Sequence, residues 1–143
     1  MRDRQVRDVV ACGKLIKEID EIFSFTAGLT PEEFAEDELT KKAVAMSFIN
    51  IGELAKNMGD QSKIGDILPS GDIRRLRNQL AHTYDTADFK KIWLTVKQVL
   101  PRLRKRLLEY KKELQAKPEV LTKLSEQKDK ASLIEEARKR DGK

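Results

Sequence analysis

The chain has little of several residue types, and each shortage excludes a class of site. Its 143 residues include one cysteine, Cys12, and one histidine, His82. A single cysteine cannot form an internal disulfide, and no cluster of cysteine and histidine has the spacing of zinc ligands. We therefore expect no structural metal site and no bound cofactor.

Long apolar runs are also lacking. No stretch is long enough for a signal peptide or a membrane span, so we expect a cytoplasmic protein without a membrane partner. Aromatic residues make up only 6% of the chain, whereas charged residues make up 37%. That balance is typical of a helical domain with a wet surface. No strand pattern, glycine-rich phosphate loop or internal repeat is present.

The net charge of +5 is confined to the C-terminal third. Residues 1–100 hold 15 Lys and Arg against 16 Asp and Glu, whereas residues 101–143 hold 14 against 8. Such an excess attracts polyanions, although a solvated helix surface is the more common reason for it.

Apolar residues recur every three or four positions through most of the chain, which is the period of helices that are buried on one side. We predict an all-α, antiparallel four-helix bundle over residues 1–116 and a charged tail, helical or partly disordered, over 117–143. The predicted helices cover about 6–23, 38–58, 72–82 and 89–114, with Val10 and Met46 among their inward-facing residues.

Local signals mark the ends of these helices. Gly28 should stop the first, and Thr30, Pro31 and Glu33 have the spacing of a capping box at a new helix start. The segment 85–88 should cap the last helix, with Asp85 as the capping residue. Pro101 lies inside that helix and should kink it, because proline lacks the N–H that the helix ladder requires.

One segment, residues 77–85, is unusually rich in polar chemistry. Its sequence RNQLAHTYD brings together a guanidinium, a carboxamide, the only imidazole, a phenol and a carboxylate. Histidine exchanges protons near neutral pH, and arginine carries a permanent planar charge that fits phosphate oxygens. The combination suits phosphate-ester chemistry.

The spacing of Arg77 and His82 restricts how they can cooperate. A lone histidine near a helix end is most often a capping or packing residue. On a continuous helix, five positions separate two side chains by about 140°, so these two would not share a face. They converge only if the helix ends or bends between them, or if a second subunit completes the site.

The pattern Arg, four residues, His, one residue, Tyr is filled by Arg77, His82 and Tyr84. With the segment 25–55, FTAGLTPEEFAEDELTKKAVAMSFINIGELA, it resembles the HEPN family, in its HepT-like ribonuclease toxin branch. The resemblance runs from about residue 6 to residue 114 and does not include the basic tail.

This resemblance implies a metal-independent endoribonuclease that acts as a homodimer and as the toxin of a type VII toxin-antitoxin pair. The implied antitoxin is an MntA-like minimal nucleotidyltransferase, which silences the toxin by AMPylation of the motif tyrosine. Arg77 and His82 are the expected catalytic residues. Asn78 is expected to orient the phosphate or the imidazole, or else to be a plain surface amide.

Tyr84 is open to two interpretations. Its ring could pack on the bundle with the hydroxyl at the rim, which is common for tyrosine. Alternatively it lies at the mouth of the cleft, where an attached AMP would bring bulk and negative charge to the place where RNA must bind.

Two other functions remain open at this point. One is a non-catalytic HEPN module that binds a nucleotidyltransferase or a nucleotide, with Arg77 and His82 as phosphate contacts only. The other is an interaction bundle whose basic C-terminal helix docks on nucleic acid.

Overall fold

The computed structural model describes residues 2–68, 70–82 and 84–141. The predicted all-α class is confirmed, and no strand occurs in the described ranges. A 3₁₀ turn, Tyr84–Thr86, and a π-helical segment, Thr95–Val99, accompany eight α-helices. These helices are α1 Arg2–Thr26, α2 Pro31–Glu36, α3 Glu38–Lys56, α4 Gln61–Ile67, α5 Ser70–His82, α6 Phe89–Leu94, α7 Leu100–Gln115 and α8 Pro118–Asp141.

The helix boundaries follow the capping signals, with one correction. Gly28 ends α1 with φ of +76°, a backbone conformation that L side chains rarely adopt. The Thr30 side chain accepts from the Glu33 N–H at 3.1 Å, and the Glu33 carboxylate accepts from the Thr30 N–H, so the capping box is present. The predicted cap segment 85–88 does precede the helix that begins at Phe89, but its capping residue is Asp88, which accepts from the Lys90 and Lys91 N–H groups of α6, and not Asp85.

The predicted kink at Pro101 takes the form of a π-helical segment. Helical backbone continues from α6 through Thr95–Val99 into α7, and the Leu100 N–H bonds to the Thr95 carbonyl five residues back. Pro101 has no N–H, and its ring would clash with the carbonyl four residues earlier. The wider π-helical turn just before the proline accommodates the missing N–H and the bulk of the ring without interrupting the helix.

The core is built around α1. This helix packs against both α3 and α7. The helix α5 packs against α3, and α8 packs against α1 and α7. Two predicted inward residues face solvent, since Val10 and Met46 are 43% and 58% exposed. The largest of the fully buried side chains are Phe34, Phe48, Leu15, Ile19, Ile22, Ile51, Ile92, Leu100, Leu107, Val44, Val96 and Val120.

The C-terminal helix α8 attaches to the bundle only near its beginning. Val120 is fully buried, Leu124 packs against the core, and the Lys123 ammonium lies 3.7 Å from the Asp3 carboxylate. Residues 125–139 are exposed, including Leu133 and Ile134. None of the described helices is long and apolar enough to span a bilayer. The division between bundle and tail at residue 117 stays a prediction.

Alkaline pH is expected to destabilise the fold. Burial, assisted by the nearby Asp8 carboxylate, raises the pKa of the Cys12 thiol from 9.0 to about 11 and the pKa of Tyr110 from 10.0 to about 12. Since both neutral forms are favoured in the folded state, their stabilisation is complete below pH 9 and is lost as pH rises toward 12. Urea unfolding across this range should show a falling free energy, and in Cys12→Ala the fall should begin nearer pH 10. A flat profile would contradict this account.

Candidate active site

The helix α5 carries the polar motif without interruption. Both Arg77 and His82 have helical backbone, with His82 as the last residue of α5. The helix therefore neither ends nor bends between them, and the two side chains point about 140° apart. Within one chain these two side chains therefore do not converge, and the contribution of a second subunit stays a prediction.

The Arg77 guanidinium is held against α3. Its Nη2 donates to Glu53 Oε1 in an ion pair, and its Nη1 donates to Asn78 Oδ1 at 2.9 Å. The Arg77 side chain is 29% exposed, and its Nε is buried without a hydrogen-bond partner among the described residues. Each terminal nitrogen carries two hydrogens, so one on each remains for a phosphate. The guanidinium is thus oriented before any substrate arrives.

Glu53 and Gly52 were not predicted as site residues. Gly52 lies in α3 where α5 approaches most closely, and an added Cβ there would lie 2.6 Å from Arg77 Cγ and 2.9 Å from Arg77 Cβ. Only glycine leaves space for the arginine stem at this crossing. The signal in the sequence was a glycine followed by a carboxylate between two apolar residues, Ile51 and Leu54.

Gly52→Ala is therefore expected to destabilise the protein by roughly 1–3 kcal/mol, because Arg77 or the α5 backbone must shift. The matched control is Gly65→Ala in α4, where nothing lies within 4 Å of the added carbon. That change should stabilise by up to about 1 kcal/mol, since alanine favours helix more than glycine does. Thermal unfolding of both variants tests the contact. Equal effects of the two substitutions would show that Gly52 is not a close-packing position.

Asn78 contacts the arginine and not the histidine. Its side chain is exposed, and its carboxamide oxygen accepts from Arg77. In the described structure Asn78 therefore helps to orient the guanidinium. Its predicted role in orienting the phosphate or the imidazole stays a prediction.

His82 is exposed at the C-terminal end of α5. Its imidazole makes no hydrogen bond or ion pair within the described ranges. Both ring nitrogens are accessible to a substrate or to a second subunit. An exposed imidazole without partners has no evident packing role.

Tyr84 is packed more deeply than a rim residue. Its ring contacts Phe89 edge to face with centroids 5.4 Å apart, and its hydroxyl is buried without a hydrogen-bond partner among the described residues. Burial, then the nearby Glu38 carboxylate, raises the pKa of Tyr84. The ring of Tyr84 therefore packs on the bundle, as in the first of the two interpretations. A reaction at the hydroxyl requires the 3₁₀ turn Tyr84–Thr86 to expose it first.

The residues of the motif contact α3 at two separate places. Arg77 contacts Gly52 and Glu53, whereas Tyr84 lies near Glu38 and Lys41 at the beginning of α3. At 1.5 Å per residue, these two ends of α3 are about 18–22 Å apart. His82 is exposed to solvent. Among the described residues, no group of His, Cys, Asp and Glu is arranged to hold a metal ion.

Comparison with known proteins decides the family. The model of the family described as "Ribonuclease HepT-like" matches residues 15–110. The chain belongs to the HepT-like family. The match includes Arg77, Asn78, His82 and Tyr84, and it ends before α8. The resemblance to the HepT-like branch is therefore confirmed.

Relatives of this HepT-like chain carry ribonuclease names. It is 33% identical over 87 residues to "Probable ribonuclease HepT" of Thermococcus cleftensis, which covers 60% of this chain and 79% of the relative. It is 31% identical over 107 residues to "Putative RNase MJ0127" of Methanocaldococcus jannaschii, which covers 73% of this chain and 88% of the relative. No solved structure gave a significant match. These names support a nuclease activity for the HepT-like chain.

Proposed function

We propose that this protein is a metal-independent endoribonuclease, the toxin of a toxin-antitoxin pair, with a composite active site at a homodimer interface. The observation that carries the proposal is the pair formed by an oriented Arg77 guanidinium and an exposed His82 imidazole on one helix. The family membership supports it, since the matched family and the relatives are named as ribonucleases. The cytoplasm, where RNA is abundant, is the proposed location.

The proposed reaction uses proton transfer and charge stabilisation. One imidazole accepts the proton of the RNA 2′-hydroxyl, and the 2′-oxygen forms a bond to phosphorus. The bond from phosphorus to the 5′-oxygen breaks, and that oxygen takes a proton from an imidazolium. Arg77 stabilises the negative charge that builds up on the phosphoryl oxygens. The products are a 2′,3′-cyclic phosphate and a 5′-hydroxyl.

The base and the acid are proposed to come from two chains. One histidine per chain cannot easily accept and donate a proton in the same step. A two-fold dimer places two copies of His82 and Arg77 on either side of one cleft, because an isologous interface juxtaposes the same surface of both subunits. The divergence of the two side chains on α5 supports this arrangement, since a phosphate held by Arg77 then meets an imidazole of the partner.

We expect the purified protein to be a homodimer with the segment 77–84 at or near the interface. Light scattering at micromolar concentration should give twice the chain mass of 16.4 kDa. A glutamate at the exposed Asn78 position, Asn78→Glu, should weaken association by placing like charges across the axis. A monomer that still cuts RNA would contradict the composite site.

The proposed antitoxin is a minimal nucleotidyltransferase that attaches AMP to Tyr84. A phosphodiester-linked AMP would add negative charge and bulk on the same segment as His82, where RNA phosphate must bind. Because the Tyr84 hydroxyl is buried against the bundle, the antitoxin must bind a form in which the 3₁₀ turn has opened. The few residues of this turn make such a local opening inexpensive relative to global unfolding.

A further inference from the structure

A polar groove lies between α1 and α3, outside the predicted motif. It encloses about 430 Å³, a size typical of small-ligand sites. Its polar lining consists of Lys14, Lys17, Glu18, Asn50, Glu53 and Asn57. Two cations, two carboxylates and two amides therefore face one concave surface.

The cations of this groove are unpaired. Lys14 and Lys17 are exposed and lie three residues apart on α1, so their side chains share a face. Neither ammonium forms an ion pair with a described residue. Two neighbouring ammonium groups without carboxylate partners are suited to a phosphate group.

The groove also offers unsatisfied groups that match a nucleobase or a ribose. Glu18 Oε1 accepts from the Asn50 amide at 3.3 Å, while Glu18 Oε2 is buried with no hydrogen-bond partner among the described residues. A buried acceptor without a donor is costly, and a ligand N–H or O–H would satisfy it after a small rotation of the carboxylate. The side chain of Asn57, at the end of α3, is exposed and offers both donor and acceptor.

Glu53 joins the groove to the candidate active site. Its carboxylate pairs with Arg77, and its side chain is also one of those that line the groove. The groove therefore adjoins Arg77 through one shared neighbour, Glu53, next to the place where a substrate phosphate would bind.

We propose that this groove binds a nucleotide flanking the cleaved bond of single-stranded RNA. Lys14 and Lys17 hold its phosphate, while Glu18 and Asn57 bind the base edge or the ribose hydroxyl. This inference rests on the proposed ribonuclease function, which it extends by a substrate subsite. A mononucleotide offers the same chemistry, so the experiment compares the two.

The test measures RNA binding separately from cleavage. The full chain carrying His82→Ala is titrated into a fluorescein-labelled single-stranded RNA of about 12 nucleotides, at several salt concentrations. Adding Lys14→Ala and Lys17→Ala should raise the Kd at least about tenfold and lower the salt slope by roughly one. The matched control is Lys128→Ala with Lys130→Ala, which removes the same charge from the exposed part of α8. That control should leave both quantities unchanged.

A second variant tests recognition by the buried carboxylate. Glu18→Gln keeps the shape of the side chain and removes its charge, so it should change the order of affinity among oligomers of A, C, G and U. AMP at millimolar concentration should compete with RNA in the parent protein and much less in the lysine variant. Circular dichroism should show the same helix content in all of them.

The outcomes separate this inference from the proposed function. If the variant that lacks Lys14 and Lys17 has the same Kd for RNA as the α8 control, the groove is not an RNA subsite, even if the wild-type protein cleaves RNA. If AMP competes but the lysine variants leave RNA affinity unchanged, the groove takes mononucleotides and the proposal is overturned. If wild type proves inactive while the groove variants lose RNA affinity, the groove is upheld as an RNA-binding site, whereas the ribonuclease proposal fails.

Discussion

His82→Ala is expected to lower the rate of RNA cleavage by ~100- to 10,000-fold, the usual loss for a general acid-base group. The fold should not change, because the imidazole is exposed and contacts no described polar group. Arg77→Ala should reduce cleavage comparably by removing the charge that stabilises the transition state. Its effect on stability should stay below about 1 kcal/mol, since the pair with Glu53 is partly exposed.

The matched control for the arginine is Arg75→Ala. Arg75 is exposed on the same helix and forms no ion pair with a described residue, so this variant loses an equal charge without touching Glu53. Cleavage of a labelled RNA and inhibition of growth should both be near wild type in Arg75→Ala. Unfolding of either site variant, or near wild-type activity in one of them, would show that the assigned residue is not catalytic.

If the proposed antitoxin acts by modifying Tyr84, the variant Tyr84→Phe is expected to escape it. The substitution removes the acceptor oxygen and keeps the ring that packs on Phe89. Since the hydroxyl makes no hydrogen bond to a described residue, its loss should leave stability equal or slightly higher. The variant should stay folded, retain at least part of its activity and remain toxic when a nucleotidyltransferase antitoxin is present.

Intact mass spectrometry after co-expression with a minimal nucleotidyltransferase of the proposed antitoxin class tests this expectation. Wild type should gain one or more adenylyl groups and lose toxicity, whereas Tyr84→Phe should gain none at this position. Tyr110, the second tyrosine of the chain, is 6% exposed and serves as an internal control that should stay unmodified. Equal neutralisation of both proteins without a change in mass would mean that the antitoxin acts by binding alone.

The fold was largely predictable because helix signals are local. Capping residues and an apolar period of three to four identified the helices, but the edges of each buried stripe depend on neighbouring helices. Val9 and Val10 are adjacent and point about 100° apart, so only one can face the core, and Val9 does. Met46 lies about 200° around α3 from both Val44 and Phe48, which are buried. Periodicity alone did not separate these faces.

The candidate site was predictable only in part. The motif located Arg77 and His82 on one helix, and the angle between them is the reason why a second subunit is proposed. Pairing of Arg77 with Glu53 spans 24 positions and depends on how α5 crosses α3, so no local pattern reveals it. Burial of the Tyr84 hydroxyl likewise depends on Phe89 and on the beginning of α3.

Mass spectrometry of the products formed from a defined RNA in excess chelator tests the central claim most directly. The wild-type protein should cut the RNA without added metal and leave a 2′,3′-cyclic phosphate and a 5′-hydroxyl, whereas DNA of the same sequence should stay intact. The His82→Ala protein, prepared in parallel, should leave the RNA uncut. Cleavage that requires a divalent metal, that produces 5′-phosphate ends, or that persists in His82→Ala would contradict a histidine-dependent, metal-independent ribonuclease.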